Sequence, residues 1–92
     1  MEVEWDSDKA EANLQKHGVS FEEAKTVLAS DSTLVLGDNN QEEPRFVAIG
    51  FSAQARLLLV VYAYRYEDKI RIISARKATR KEQGFYERRI RP

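Results

Sequence analysis

Between residues 45 and 75 the apolar positions fall into three runs, Arg45–Ser52, Arg56–Arg65 and Lys69–Ala75, separated by short polar turns. The runs are rich in Val, Ile, Leu, Tyr and Phe, which suit a pleated surface, and they predict three strands of a meander. A turn at Ala53-Gln54-Ala55 pairs Phe51 with Leu57, Ile49 with Leu59 and Val47 with Val61. A tight turn at Glu67-Asp68 pairs Tyr66 with Lys69, Tyr64 with Arg71 and Ala63 with Ile72. Both hairpins then agree on one apolar face: Val47, Ile49, Phe51, Leu57, Leu59, Val61, Ala63, Ile70 and Ile72. The other face presents Phe46, Tyr62, Tyr64, Tyr66, Lys69 and Arg71. A slip of one residue would exchange the faces, which the apolar pattern opposes. Thr33–Gly37 predicts a further strand, Gly37–Pro44 a polar loop, and the alternation from Met1 to Trp5 a short strand at the start.

Helices flank these strands. Asp6 is placed to cap a helix over Ser7–His17, and Gly18 to end it in the left-handed conformation. Ser20-Phe21-Glu22-Glu23 is a capping box, in which the serine hydroxyl accepts from the Glu23 amide and the Glu23 carboxylate reaches back. The helix it opens carries a narrow apolar stripe of Ala24, Val27 and Leu28. Thr79-Arg80-Lys81-Glu82 is a second box, opening a helix through Phe85 and Tyr86 to about Ile90. The elements predict one α+β domain over residues 1–92: an antiparallel β-sheet meander, two N-terminal helices and one C-terminal helix.

Size adds that stability is marginal unless a partner binds the folded state. There is no cysteine, so neither disulfides nor a Cys-based metal site can help. The N-terminus lacks a basic region followed by an apolar one, and the longest apolar run, Leu57–Tyr64, is too short to span a bilayer. The expectation is a cytoplasmic protein with no membrane partner. The net charge of zero hides an asymmetry: residues 1–46 carry 4 Lys/Arg and 11 Asp/Glu, and residues 47–92 carry 11 and 4. Such a split points to one basic surface for an anionic partner, with nucleic acid leading, or else to faces that cancel in three dimensions.

The densest basic stretch is Arg71-Ile72-Ile73-Ser74-Ala75-Arg76-Lys77-Ala78-Thr79-Arg80-Lys81. It runs into a helix N-terminus, where amides and the dipole already favour an anion. Arg80 and Lys81 oppose that dipole, so helix stability does not explain them. A phosphate site does; a solvated basic stretch is the alternative. Tyr62, Tyr64 and Tyr66 share the Arg71 face in the register above. Rings beside cations hold single strands by stacking, although a tyrosine on a half-buried strand more often serves packing. His17, the one histidine, is a natural proton-transfer group or a cation that suits a helix C-terminus. No glycine-rich phosphate loop, nucleophile elbow or metal-spaced His/Asp/Glu cluster is present in the sequence, so no cofactor or metal is expected.

Four stretches together resemble the BrnT toxin family: Trp5 through Ala24 with its KHGVSFEEA segment, Arg45–Gly50, Leu57–Tyr62, and Arg71–Glu82 with RIISARKATRKE. The resemblance implies a fold similar to the RelE/ParE toxins and a ribonuclease that stops translation. It also implies a BrnA-type antitoxin as partner, with operator DNA reached only through that antitoxin. RNA cleavage without a metal takes the 2′-hydroxyl as nucleophile and needs cations for the developing phosphorane charge. On this reading Arg71, Arg76 and Arg80 are phosphate clamps. Lys77, Lys81 and Tyr62 bind RNA, and His17 or Tyr64 transfers protons. The reading from another class is a non-catalytic or degenerate module that binds an antitoxin or nucleic acid.

Overall fold

A computed structural model describes residues 2–38, 44–66 and 68–90. In chain order the elements are β1 (Glu2–Glu4), α1 (Ser7–His17), α2 (Phe21–Leu28), β2 (Leu34–Asp38), β3 (Arg45–Phe51), β4 (Leu57–Tyr66), β5 (Lys69–Lys77) and α3 (Arg80–Ile90). Most of the expected loop after Gly37, and Glu67 of the second turn, lie outside the described residues.

The helix boundaries follow their caps. The Asp6 carboxylate accepts from Asp8 N at 2.8 Å, and Gly18 closes α1 at φ 69° with its amide on Leu14 O. Ser20 Oγ accepts from Glu23 N at 3.0 Å. The Glu23 carboxylate does not reach back, however; it is bound to Arg56 and Ser52, so the first box is only half formed. The second box is complete: Glu82 N donates to Thr79 Oγ1 at 3.1 Å, and Thr79 N to Glu82 Oε1 at 2.9 Å.

The strands form one sheet in the order β1-β5-β4-β3-β2. Its centre is the expected antiparallel meander, while β1 pairs in parallel with β5 and makes the sheet mixed. The β3–β4 register is as expected, including Val47 with Val61 and Phe51 with Leu57. The β4–β5 register differs. Tyr66 pairs with Lys69, but Arg65 is then an extra residue on β4, so Tyr64 pairs with Ile70 and Ala63 with Arg71. A second extra residue, Ile73 on β5, follows the Tyr62–Ile72 pair and leaves Val61 opposite Ser74. Each bulge reverses the alternation of its strand.

The faces are redistributed as a result. Ile70, Ile72, Tyr62, Ala48, Leu58 and Val60 form the main core with Val19, Phe21, Ala24 and Val27 of the α1–α2 segment. Leu59, Ile49, Val47, Val61 and Leu57 face the other way, toward Tyr86 and Phe85 of α3. Both sheet faces bury apolar side chains, which is why Leu57–Val61 is apolar without alternation. Gly50 is needed where β3 meets the chain after α2: a Cβ there would strike Thr33 Oγ1 and lie 3.2 Å from Thr33 Cα.

Candidate functional site

The α3 side of the sheet collects Lys69, Arg71 and Arg76 of the four basic side chains of β5. Glu2, Glu4, Lys69 and Arg71 alternate with Val3 and Ile70, which point to the main core. In a regular strand Arg71 and Arg76, five residues apart, would face opposite ways. The Ile73 bulge restores the phase, so that Arg71 opposes Ala63 and Arg76 opposes Leu59, both outside the main core. The face that α3 partly covers therefore carries both arginines, each partly exposed, with Ser74 between them.

Neither guanidinium is bare. Arg71 Nε donates to Glu4 Oε2 at 2.9 Å, and Glu4 also lies 3.9 Å from Arg65 and 3.7 Å from Lys69. Arg76 forms a two-pronged pair with Glu82, Nη1 to Oε1 at 2.8 Å and Nη2 to Oε2 at 2.9 Å, while Nη1 also donates to Lys77 O at 3.2 Å. The Arg76 guanidinium, more than the Thr79 amide, holds the Glu82 carboxyl at about 2. Glu82 thus caps α3 and fastens it to the end of β5. Among the described residues Arg80 and Lys81 have no ion-pair partner, and both are exposed.

Beside this basic edge lies a groove of about 560 Å³, lined by Leu36, Gly37, Val47, Ile49, Leu59 and Phe85, with Lys81 and Glu82 at its α3 wall. Across it α3 is anchored by Tyr86, whose hydroxyl donates to Ser32 O at 2.9 Å and whose ring meets Phe51 edge-on.

The remaining expected site residues are elsewhere. Tyr62 and Tyr64 face the α1–α2 side, across the sheet from Arg71, which corrects the shared face expected from the uninterrupted register. Tyr62 is 5% exposed and stacks on Phe46, so its ring offers no face to a base; burial raises its phenol pKa. Tyr64 is 49% exposed and meets Phe46 edge-on. Lys77 pairs with the core residue Leu58 and lends positive potential to Glu23 of α2, so it too points away from Arg76. His17, in the last turn of α1, makes no hydrogen bond or ion pair among the described residues. Arg71 and Arg76 thus lie on the α3 face of the sheet, at separate positions along β5, with Lys81 in the first turn of α3, while Tyr64, Tyr62 and Lys77 lie on the other face and His17 ends α1.

Two polar clusters were not foreseen. β1 stops at Glu4, so β5 beyond Arg71 has an open outer edge, and Asn13 of α1 fills it. Its Oδ1 accepts from Ala75 N at 3.1 Å, and its Nδ2 donates to Ala75 O at 2.8 Å and Val19 O at 2.9 Å. The side chain imitates one residue of a neighbouring strand. In the second cluster, the buried Glu23 accepts from Ser52 Oγ at 2.7 Å and Arg56 Nε at 2.9 Å, and pairs with Arg56 Nη2. The Arg56 hydrogen bonds dominate over burial and hold the Glu23 carboxyl below its usual value. This ties the start of α2 to the β3–β4 turn. Both clusters, with Glu4–Arg71, join the first half of the chain to the second, and the Glu23–Arg56 and Glu4–Arg71 pairs partly cancel the second half's charge excess.

The family match and the structural match point to the same family. Residues 5–82 match the family described as the ribonuclease toxin BrnT of type II toxin–antitoxin systems. The fold is similar to the 1.1 Å crystal structure of the Brucella abortus ribonuclease toxin BrnT. The TM-score is 0.71 and the identity 26%, over 87% of this chain and 99% of that one. No curated protein sequence matches significantly. Because the family match runs from Trp5 through the β5–α3 junction to Glu82, the chain belongs to the BrnT family of ribonuclease toxins of type II toxin–antitoxin systems.

Proposed function

We propose that the chain is a metal-independent endoribonuclease that inhibits translation by cleaving RNA on its α3 face. The observation that carries this reading is the Ile73 bulge, which gives up a regular ladder position to bring Arg71 and Arg76 onto one face of the sheet. Bulges recur next to active sites because they re-aim side chains.

In this reaction the 2′-oxygen of the substrate attacks the adjacent phosphorus while the P–O5′ bond breaks. The products are a 2′,3′-cyclic phosphate and a 5′-hydroxyl. The 2′-hydroxyl loses a proton and the leaving oxygen gains one. Negative charge builds on the non-bridging oxygens, and fixed guanidinium forks match that charge geometrically. Arg71 and Arg76 are the proposed clamps, with Arg80 and Lys81 drawing the flanking phosphates. A phosphate reaching Arg76 competes with Glu82 for the same two nitrogens. Electrostatic stabilisation is therefore the part of the reaction these residues supply. His17 and Tyr64, the residues first considered for proton transfer, sit across the sheet from the clamps.

The partner expected for this family is an antitoxin, which we read as BrnA-like and as the source of any contact with operator DNA. The test of the RNA reading is binding of a non-cleavable 2′-deoxy-substituted oligonucleotide over a salt series. Neutralising Arg76 and Arg80 together should flatten the log–log slope by about 2. An unchanged slope would show that the basic face does not hold phosphate.

A further inference from the structure

We propose that the apolar groove between α3 and strands β2–β4 is the docking site of the antitoxin, and that its occupant is an amphipathic, acidic-rimmed segment of that protein. The inference rests on the toxin–antitoxin reading and gives it a surface distinct from the phosphate clamps.

The chemistry of the groove favours protein over nucleic acid. Five of its lining side chains are Leu36, Val47, Ile49, Leu59 and Phe85. A base needs polar partners for its edge and a flat ring to stack on. This floor is aliphatic, with one ring, and that ring is already capped by Arg89, whose guanidinium lies 4.6 Å from the Phe85 centroid. Aliphatic or aromatic anchors entering an open apolar channel are how amphipathic peptide segments bind. Such anchors carry most of an interface's energy.

The rim sets the sign of the partner. From Arg80 to Ile90, α3 carries Arg80, Lys81, Arg88 and Arg89 against Glu82 and Glu87. Glu82 is committed to Arg76, so Lys81 at the wall and Arg89 beside the Phe85 ring give a docking segment a positive rim. Carboxylates beside the anchors complement it. The groove also opens toward β2, the last strand of the sheet, whose Leu36 and Gly37 line it. The outer edge of β2 pairs with no other strand among the described residues, so backbone donors and acceptors lie next to the apolar floor.

The placement supplies a means of inhibition. Glu82 belongs both to the groove wall and to the ion pair that holds Arg76. A segment seated against Glu82 keeps the Arg76 fork closed on that carboxylate.

The test is the affinity of the antitoxin co-expressed from the same operon and purified, measured against the full toxin chain by calorimetry. Phe85→Ala should weaken binding at least tenfold, and the near-isosteric Val47→Thr several-fold. Neither should change RNA cleavage by the free toxin by more than about twofold. If Phe85→Ala fails to fold, Val47→Thr decides alone, because it keeps shape and strand propensity. Unchanged antitoxin affinity in a folded variant overturns the proposal. So does a rise in KM for RNA with antitoxin affinity intact, which would make the groove an RNA site. Loss of a concentration-dependent toxin dimer with antitoxin affinity intact would make it a self-association surface and also overturn the proposal. Weakened antitoxin binding alongside a wild-type chain that does not cleave RNA supports the docking site and removes the ribonuclease reading instead.

Discussion

Replacing Asn13 with alanine should cost this fold more than any other single polar change on α1. The side chain is 6% exposed and makes three hydrogen bonds to backbone, two of them to Ala75. Alanine leaves Ala75 N–H, Ala75 C=O and Val19 C=O without that partner. Each lost bond is worth about 1 kcal/mol net, and more if water does not reach the group. The better helix propensity of alanine returns roughly 0.6 kcal/mol. The expected loss is about 2–3 kcal/mol, against a total of roughly 5–15 kcal/mol for a domain of this kind. At about 4–8 °C per kcal/mol, the melting temperature should fall by roughly 8–24 °C. Urea unfolding by circular dichroism measures the free energy, with exposed Gln15→Ala on the same helix as a control expected within about 0.5 kcal/mol. Asn13→Asp should be no milder, because a carboxylate keeps one acceptor, loses both donated bonds and buries charge. A loss below about 1 kcal/mol for Asn13→Ala would refute the view that this amide replaces a missing strand neighbour.

Acid should weaken the α3 junction with a defined sign. Glu82 titrates at about 2 in the folded chain and near 4.5 when unfolded, so its stabilisation is complete above pH 4.5 and lost as pH falls toward 2. Glu23 shifts in the same direction, so both contribute to the loss. The Arg76–Glu82 pair is partly exposed, its side chains 37% and 25% accessible, so screening limits its share to about 1–2 kcal/mol. Glu82→Gln should flatten the pH 6 to pH 3 difference in urea midpoint, and should also tighten RNA binding by freeing the Arg76 fork. Gly50→Ala should destabilise by about 1–3 kcal/mol through its collision with Thr33, and Thr33→Ala should recover part of that loss in thermal melts.

The parts of the fold written locally were legible in the sequence. Asp6, Gly18, Ser20 and Thr79 set the helix ends because a cap needs only neighbours a few residues away. The β3–β4 register could be read because the Ala53–Ala55 turn and the side-chain pattern agree. The β4–β5 register could not. Ile72 and Ile73 are equally apolar, so nothing local says which is the extra residue. Tyr64 and Tyr66 tolerate either a buried or an exposed position, so Arg65 leaves no mark on the pattern. In a sheet buried on both sides, alternation loses its power to reject a slip. The basic stretch itself was visible, but its division between faces was not, because that division depends on the bulge. Asn13 carried no local signal and Glu23 read as the reach-back residue of a capping box, since their partners lie up to 62 residues away. Glu82 was visible as a cap, and its hold on Arg76 was not, because that requires knowing where β5 ends relative to α3.

The central claim is that the bulge in β5 assembles a cleavage face from Arg71 and Arg76. The most direct measurement is single-turnover cleavage of an end-labelled RNA by the purified chain in EDTA, with product ends identified, comparing Arg71→Ala, Arg76→Ala and, from the opposite face, Lys77→Ala. Cyclic-phosphate ends are expected for the wild type, with a fall of roughly 10²–10³-fold in each arginine variant, the scale on which a preorganised charge-stabilising group acts. Lys77→Ala should stay within a few-fold of wild type. Arginine variants that cleave like the wild type while Lys77→Ala is inactive would contradict the account and move the chemistry to the other side of the sheet.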